Sequence, residues 1–173
     1  MIQQDKNKQA VLLSIQPRWC RMILSGQKTI EVRKTKPSLE TPFQCYIYCT
    51  LSGSKEFFQT DLHGDVALWN REKWYERKGM VIGEFTCGRI YDYTAFWDFG
   101  SDISDDEMLT RSCLTTEEIK QYEKPKIKGN SMYCGVHAWS IENLSVYEQP
   151  KALKELGLLR APQSWCYCKE LSA

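Results

Sequence analysis

Short runs of apolar residues, most of them rich in β-branched or aromatic side chains, divide this chain into a series of predicted strands. Val11–Ile15 is the first such run, and Phe43–Thr50 has the composition of a strand buried in a sheet. Met80–Tyr93 is longer, and Gly83 and Gly88 mark bulges or bends where a sheet curves. The pattern therefore predicts a structure built mainly from strands.

Strand patterns return near the end of the chain. Met132–Trp139 and Asn143–Tyr147 are predicted strands, and Pro150–Leu156 is a predicted short helix that Gly157 would end. The last unit, Arg160–Tyr167, contains a proline and several polar residues directly before an apolar run. It predicts a rigid turn followed by a closing strand.

The spacing of apolar residues changes to a helical period directly after the first strand. Pro17 suits the first turn of a helix and Gly26 suits its end. Four residues fall on one stripe of this helix: Trp19, Cys20, Ile23 and Leu24. The later stretch Gly53–Lys78 mixes aromatic and charged residues, and its pattern is compatible with a short helix or an excursion over the sheet.

A second helical region is predicted at about residues 95–130. Ser104 with Glu107, and Thr115 with Glu118, have the spacing of capping boxes, in which a hydroxyl and a carboxylate satisfy the first free amides of a helix. We therefore expect a helical insertion between two groups of strands.

Length and composition favour one soluble domain. The chain has 173 residues, of which 42% are hydrophobic and 26% charged, enough to bury a core. Strands outnumber helices and come in a mixed order, so we expect an α+β fold with a curved, partly closed mixed β-barrel and peripheral helices. Residues 1–9 predict a disordered tail, and residues 10–173 the single domain.

The charge balance narrows the class of ligand. A net charge of +1 provides no general attraction for nucleic acid, so any such binding must come from a local pocket and favours a small or single-stranded ligand. No apolar run is long enough to span a membrane, and the polar start lacks the apolar core of a signal peptide. We expect a cytoplasmic protein, with no membrane contact and no obligate protein partner.

The cysteines predict neither disulfides nor a metal site. Eight cysteines at irregular spacing in a chain without a secretion signal are expected to be reduced and mostly buried. The close pairs Cys45 with Cys49 and Cys166 with Cys168 lack zinc-knuckle spacing, so we expect no metal and no cofactor. His137 lies in an alternating strand pattern and is interpreted as structural.

Charged residues are concentrated where the first helix gives way to a strand. Lys28, Glu31 and Arg33 offer a mobile cation, an acceptor and a planar set of donors, which together suit an anionic or hydrogen-bonding ligand. Glu31 and Arg33 alternate with Ile30 and Val32, so a strand would point the polar pair to one face. The alternative is an ordinary exposed ion pair worth about 0 to 1 kcal/mol.

Gly26, Lys28, Glu31 and Arg33 match G-x-K-x-x-E-x-R, and this motif resembles the signature of the ASCH domain, a relative of the PUA-like RNA-binding barrels. The order and spacing of the flanking elements are also similar to that family. The resemblance implies a ligand cleft lined by the motif. The motif makes Gly26, Lys28, Glu31 and Arg33 candidate ligand-binding residues, and from the sequence we add five candidate wall residues: Tyr46, Tyr48, Thr50, Ser164 and Trp165.

Two functions are compatible with this resemblance. The first is binding of single-stranded RNA or a nucleotide-like small molecule, with a base stacked on an aromatic ring. The second is hydrolysis, by a ribonuclease or an amidohydrolase acting on modified nucleosides, in which Lys28 would be the catalytic residue. The related amidohydrolases carry a threonine three residues after the lysine, whereas this chain has Glu31, which removes that nucleophile.

Overall fold

The computed structural model describes residues 9–51, 77–95, 101–123, 126–128, 131–133 and 135–171, with backbone alone for 126–128 and 131–133. In chain order the strands are β1 (Gln9–Ile15), β2 (Ile30–Arg33), β3 (Phe43–Cys49), β4 (Met80–Cys87), β5 (Ile90–Tyr93), β6 (Lys126–Lys128), β7 (Ser131–Tyr133), β8 (Val136–Ser140), β9 (Glu142–Lys151) and β10 (Trp165–Lys169). The α-helices of this part are α1 (Pro17–Leu24), α2 (Asp105–Ser112) and α3 (Thr116–Glu123), and Leu153–Leu156 forms a 3-10 helix.

The apolar strands at the start of the chain form the centre of a five-stranded sheet. Its order is β10-β1-β3-β4-β9, with β1 and β3 parallel and the other neighbours antiparallel. On one face, alternate residues of β1 and β3 pack against α1 and Trp139. This packing fixes α1 beside the ends of β1 and β3, where the candidate site lies.

A second, three-stranded sheet carries the charged motif. Its order is β2-β8-β5, with antiparallel pairing throughout, and Glu31 lies opposite Trp139 of β8. Ile30 and Val32 pack into an apolar cluster with Met108 and Ile119 from α2 and α3. The helices of the insertion therefore cover one face of this sheet, as amphipathic helices do when they bury their apolar stripe.

Both predicted capping sites begin helices. The Ser104 hydroxyl accepts a hydrogen bond from the Glu107 amide at 3.3 Å, so α2 is capped by its hydroxyl. Thr115 and Glu118 form the full reciprocal box, with bonds of 3.2 and 2.8 Å. The prediction of helices in the insertion is confirmed.

Several predicted boundaries are wrong, and turns explain them. Met80–Tyr93 is not one strand: β4 and β5 belong to different sheets, and Gly88 lies in the bend between them. The prediction for Gly83 is confirmed, because the pairing of β4 with β9 shifts register there. The stretch Met132–Trp139 likewise divides into β7 and β8.

The helix predicted from Pro150 begins later than expected. Strand β9 runs through Pro150 to Lys151, and only a 3-10 helix follows, ended by Gly157 at a φ of 76°. Proline fits a strand at the edge of a sheet, and β9 is an edge strand. The local proline signal therefore had two meanings, and the pairing with β4 selected the strand.

The fold class is confirmed as α+β, but the barrel is not. The strand pairings of the described residues leave both larger sheets open. Gln9, the last residue of the predicted tail, belongs to β1 and pairs with Lys169. Residues 1–8 of that tail and most of the Gly53–Lys78 segment lie outside the described residues. No helix in the described part of the chain combines the length and apolarity that a membrane span needs.

Candidate functional site

The turn after α1 sets the position of Lys28. Gly26 has a φ of 76°, a left-handed conformation that glycine adopts without steric cost, and its amide donates to Ile23 O at 2.9 Å. Two residues later, the Lys28 amide donates to Met22 O at 2.9 Å. Strand β2 starts only at Ile30, so Lys28 precedes it and need not follow the alternation of strand side chains.

Lys28, Glu31 and Arg33 form a continuous chain of ion pairs. Glu31 lies between the two cations, with Oε2 3.4 Å from Lys28 Nζ and Oε1 2.9 Å from Arg33 Nη2. The side chains are only 2%, 9% and 8% exposed, respectively. The alternative of an ordinary exposed ion pair is therefore wrong. A buried pair of this kind is costly to desolvate, and its geometry must compensate.

The two cations also bond backbone carbonyls of distant elements. Lys28 Nζ donates to Ser112 O, the last residue of α2, at 2.8 Å. Arg33 donates through Nη2 to Ser14 O at 2.9 Å and through Nη1 to Ser164 O at 3.2 Å. The motif thus joins β2 to the insertion on one side and to both β1 and the turn before β10 on the other. A cation at the end of a helix is also favoured by the helix dipole.

Burial changes the acid–base properties of Lys28. Desolvation lowers the pKa of Lys28 below its ordinary value, while the neighbouring Glu31 carboxylate opposes this shift. The neutral amine is therefore easier to reach at this position than on an ordinary lysine.

An open cavity of about 440 Å³ lies above this cluster. Lys28, Glu31 and Arg33 line it at its floor, where all three are buried. Trp19 of α1 and Tyr122 of α3 contribute an aromatic ring each to the lining. The volume falls in the range of pockets that hold small molecules.

Cations lie over both aromatic rings. The Arg18 guanidinium is 4.5 Å and Lys28 Nζ 5.2 Å from the centre of a ring of Trp19, and Lys34 Nζ is 4.7 Å from that of Tyr122. These distances are within the range of cation–π attraction. The arrangement combines flat apolar surfaces with positive charge.

Crystal structures of an ASCH protein from Zymomonas mobilis are similar to this chain. One has a TM-score of 0.58 and 17% identity over 91% of this chain and 86% of that one. A tyrosine-to-phenylalanine mutant and a serine-to-alanine mutant of that protein have TM-scores of 0.55 and 0.56 at 16% identity. They cover 91% and 93% of this chain, and 88% and 89% of theirs.

The chain has the ASCH fold. The resemblance stated from the G-x-K-x-x-E-x-R motif is therefore confirmed at the level of the fold. No protein-family model matches the chain, and no curated protein matches its sequence.

Within this ASCH fold, the structure brings only some of the expected residues to the cavity. Thr50 and Ser164 line it together with Lys28, Glu31 and Arg33. Gly26 is outside the lining and contributes the turn that delivers Lys28. Ser164 is fixed by three contacts, because its carbonyl accepts from the Ser14 amide as well as from Arg33, and its hydroxyl lies 3.3 Å from Arg33 Nη1.

The three aromatic residues expected as walls lie elsewhere. Tyr46 and Tyr48 pack into an apolar cluster with Leu12 and Val81, and neither lines the cavity. Alternation along β3 is the cause: these two tyrosines share a face of the sheet with Leu12, opposite the face that packs on α1. The Tyr46 hydroxyl accepts from the Leu171 amide at 2.7 Å, which ties down the end of the chain.

Trp165 is also a structural residue. Its ring packs 5.9 Å from Trp139 and 5.4 Å from Tyr167, and its indole N–H donates to Thr35 Oγ1 at 2.9 Å. The adjacent Ser164 faces the cavity instead. The two residues were expected to act together, but neighbouring positions at the start of a strand point in opposite directions.

Sequence reasoning missed the residues that form the actual walls. Trp19 was assigned to the core stripe of α1, but it is only partly buried and lines the cavity. Tyr122 and Glu118 come from α3, in the insertion, and no local pattern indicates that α3 folds back over β2. Gln16 and Gln163 are exposed lining residues, and Gln163 directly precedes Ser164 in the sequence. That adjacency to the predicted site residue Ser164 was the one available signal, and it applied to Gln163 alone.

The described cysteines and His137 are outside this site. The described cysteines are all free: Cys20, Cys45, Cys49, Cys87, Cys113, Cys166 and Cys168. Burial raises the pKa of the Cys87 thiol to about 12, which makes it unreactive. Among the described residues, no group of histidine, cysteine and carboxylate side chains has the arrangement of a metal site. His137 Nδ1 lies 2.6 Å from Asp92 Oδ1, away from the cavity.

Proposed function

We propose that the cavity binds single-stranded RNA or a nucleotide-like molecule. One observation carries this proposal: the cavity joins two aromatic rings, each with a cation over its face, to a floor of buried polar groups. Aromatic rings bind bases by stacking, and cations offset the phosphate charge. The ASCH fold of the chain also supports this proposal, because its motif resembles the signature of a family related to the PUA-like RNA-binding barrels.

Direct binding measurements test the proposal. The probe is a dye-labelled single-stranded RNA of about six nucleotides, followed by fluorescence anisotropy at several salt concentrations. Because a stacked base contributes about 1 to 3 kcal/mol, Tyr122→Ala should weaken binding by about 5-fold to 150-fold. Affinity should also fall as salt rises.

Tyr167→Ala is the matched control. Tyr167 is a partly exposed aromatic residue on β10, outside the cavity lining, so its loss should leave RNA affinity within about 2-fold of the wild type. Equal losses in both variants would contradict the proposed site. No binding of RNA or nucleotides by the wild type would contradict the function.

A second candidate is hydrolysis of RNA or of an acylated nucleoside. The observation that favours it is the lowered pKa of Lys28 beside Glu31, because a general base works best when its pKa is near the working pH. Binding stays the first choice, since Lys28 Nζ already donates to Ser112 O and Glu31 replaces the threonine nucleophile of the related amidohydrolases.

Product formation distinguishes the two functions. If the protein is a hydrolase, the wild type should release product, and Lys28→Ala should abolish turnover while binding changes by only a few fold. Because Lys28 is buried, circular dichroism must first show that the variant folds. The wild-type rate gives an independent readout: it should rise with pH through the lowered pKa of Lys28.

A further inference from the structure

We propose that the ligand enters base first: the amides of Gln16 and Gln163 select an uncharged base inside the cavity, and the phosphate stays at the rim beside Arg18 and Lys34. This inference rests on the proposed function and specifies its ligand. Four observations on the described residues carry it: the charge of the lining, the hydrogen bonds of its cations, the state of the two amides, and the location of the rim cations.

The formal charges of the side chains that line the cavity sum to zero. Lys28 and Arg33 contribute two positive charges, and Glu31 and Glu118 contribute two negative charges. Glu118 also lies 4.0 Å from Arg18, which is outside the lining, so among the lining side chains themselves a phosphate would approach two carboxylates with no net positive charge. Desolvating an anion there would cost free energy without compensation.

The hydrogen bonds of the floor are also largely committed. Lys28 Nζ donates to Ser112 O, and both Nη groups of Arg33 donate to carbonyl oxygens of Ser14 and Ser164. Phosphate sites need several donors aimed at one point. Arg33 Nε has no hydrogen-bond partner, but the bonds of Lys28 Nζ and of both Nη groups point into the protein, so the floor suits an uncharged group better than a phosphate.

Two amide side chains supply the missing recognition. Gln16 and Gln163 line the cavity and are exposed, and neither amide has a hydrogen-bond partner in the part of the chain that the structure describes. Gln16 is the residue before α1, yet its side chain does not cap the helix. Each amide offers a donor pair and an acceptor, the combination that pairs with the edge of a base.

Cations outside the lining are available for a phosphate. Arg18 lies over Trp19, is 55% exposed and has a long ion pair of 4.0 Å with Glu118, and Lys34 lies over Tyr122 and is also exposed. Neither residue lines the cavity itself. A base stacked on either ring would therefore place its sugar and phosphate near one of these cations. A base displaced from single-stranded RNA has this shape.

Competition against the labelled RNA tests whether the base or the phosphate enters the cavity. The competitors are adenosine, cytidine, guanosine, uridine, ribose 5-phosphate and inorganic phosphate. At least one nucleoside should displace the RNA, and at the concentration where it displaces half, ribose 5-phosphate and phosphate should displace less than about a tenth. Nucleosides should also differ from one another, because the amides read base edges.

Three variants locate the contacts. Gln163→Leu, which keeps size and removes the amide, should weaken nucleoside binding by about 5-fold or more. Lys34→Gln should weaken RNA more than nucleoside and lower the slope of affinity against salt by about 0.7, the value for one phosphate contact on a single strand. Lys36→Gln, two residues away and outside the cavity, is the control and should change neither measurement.

The outcomes separate this inference from the function on which it rests. If RNA binds but phosphate or ribose 5-phosphate competes and no nucleoside does, the insertion is phosphate first and the inference is wrong, while the proposed function stands. If Gln163→Leu leaves nucleoside affinity unchanged, the assignment of the amide is wrong. If neither RNA nor nucleosides bind, both proposals fail.

Discussion

Two clusters at the three-stranded sheet have a similar arrangement of ionisable side chains in different surroundings. Each has a carboxylate between two basic groups at hydrogen-bond or ion-pair distance. The buried cluster is Lys28, Glu31 and Arg33, and the exposed cluster is Lys36, Asp92 and His137. Their distances are similar, 3.4 and 2.9 Å in the first and 3.0 and 2.6 Å in the second.

Solvent makes the difference between the clusters. Lys36 and Asp92 are 46% and 48% exposed, so water already solvates them and their attraction is screened. Lys28 and Glu31 are 2% and 9% exposed, so each depends on its partners for compensation. Similar distances therefore imply different free energies, and of these two clusters only the buried one forms the floor of the cavity.

Removing the central carboxylate should give the largest contrast. Glu31→Gln keeps the shape of the side chain but leaves two cations without their buried partner, so the free energy of unfolding should fall by about 3 to 5 kcal/mol. Asp92→Asn makes the same change in the exposed cluster and should cost about 0 to 1 kcal/mol. Urea unfolding followed by tryptophan fluorescence measures both values.

Equal costs for the two variants would contradict the comparison. A slope against urea that differs between the variants and the wild type would show a changed unfolded or native state, and the free energies would then not be comparable. Binding of RNA by Asp92→Asn serves as the control for the site and should equal that of the wild type.

The sequence was sufficient to predict the buried cluster but not its surroundings. Glu31 and Arg33 follow strand alternation, and Gly26 marks the end of α1, so local rules bring the motif together. The wall contributed by Tyr122 depends on how α3 packs over β2. Tyr122 lies about 90 residues after β2 in the sequence. No local pattern encodes that contact.

Tyr48 shows the same limit of prediction from local sequence patterns. Alternation along β3 predicts correctly that Tyr46 and Tyr48 share a face, but it does not tell which face meets the cavity. That choice depends on α1, which packs on the opposite face. Periodicity gives relative orientation, whereas the side of the sheet is set by tertiary packing.

Exchanging one cation for another at constant charge should give a smaller difference in stability between the two clusters. Arg33→Lys keeps the charge beside Glu31 but loses the planar donors that reach Ser14 O and Ser164 O together. The free energy of unfolding should fall by about 1 to 3 kcal/mol, because a lysine ammonium cannot replace both of these charge-assisted hydrogen bonds. Lys36→Arg in the exposed cluster should stay within about 0.5 kcal/mol of the wild type.

The Arg33→Lys experiment has a second readout. Ser164 lines the cavity and is fixed by Arg33, so a loosened turn should also weaken the binding of labelled RNA. Loss of stability without any change in binding would show that Arg33 acts on the fold alone.

The pH dependence of the free energy of unfolding should give the smallest difference between the buried and the exposed cluster. Burial lowers the pKa of Lys28 in the folded protein, so between that pKa and its ordinary value of 10.5 the unfolded chain binds more protons. The contribution of Lys28 to the free energy of unfolding should therefore rise with pH across this window and be lost as pH falls through the folded-state pKa. Asp92 should act in acid instead: partial burial opposes the shift, but Lys36 and His137 hold its pKa below 3.8, so its contribution is present above that value and is lost as pH falls through the lowered pKa.

Differences in the free energy of unfolding between the wild type and each variant isolate the titration of Lys28 and of Asp92 from that of the other groups. The free energy of unfolding of the wild type minus that of Lys28→Met should increase with pH through the alkaline range below the ordinary lysine pKa of 10.5, and the same difference for Asp92→Asn should stay constant there. Below about pH 4 the pattern should reverse, because only the Asp92→Asn difference should shrink. Tyrosines and thiols away from the substituted side chain titrate alike in each pair of proteins and cancel in the difference. A wild-type minus Lys28→Met difference that stays flat through the alkaline window would mean that Lys28 keeps the pKa of an ordinary exposed lysine, and the two clusters would then differ in position but not in the chemistry of their charges.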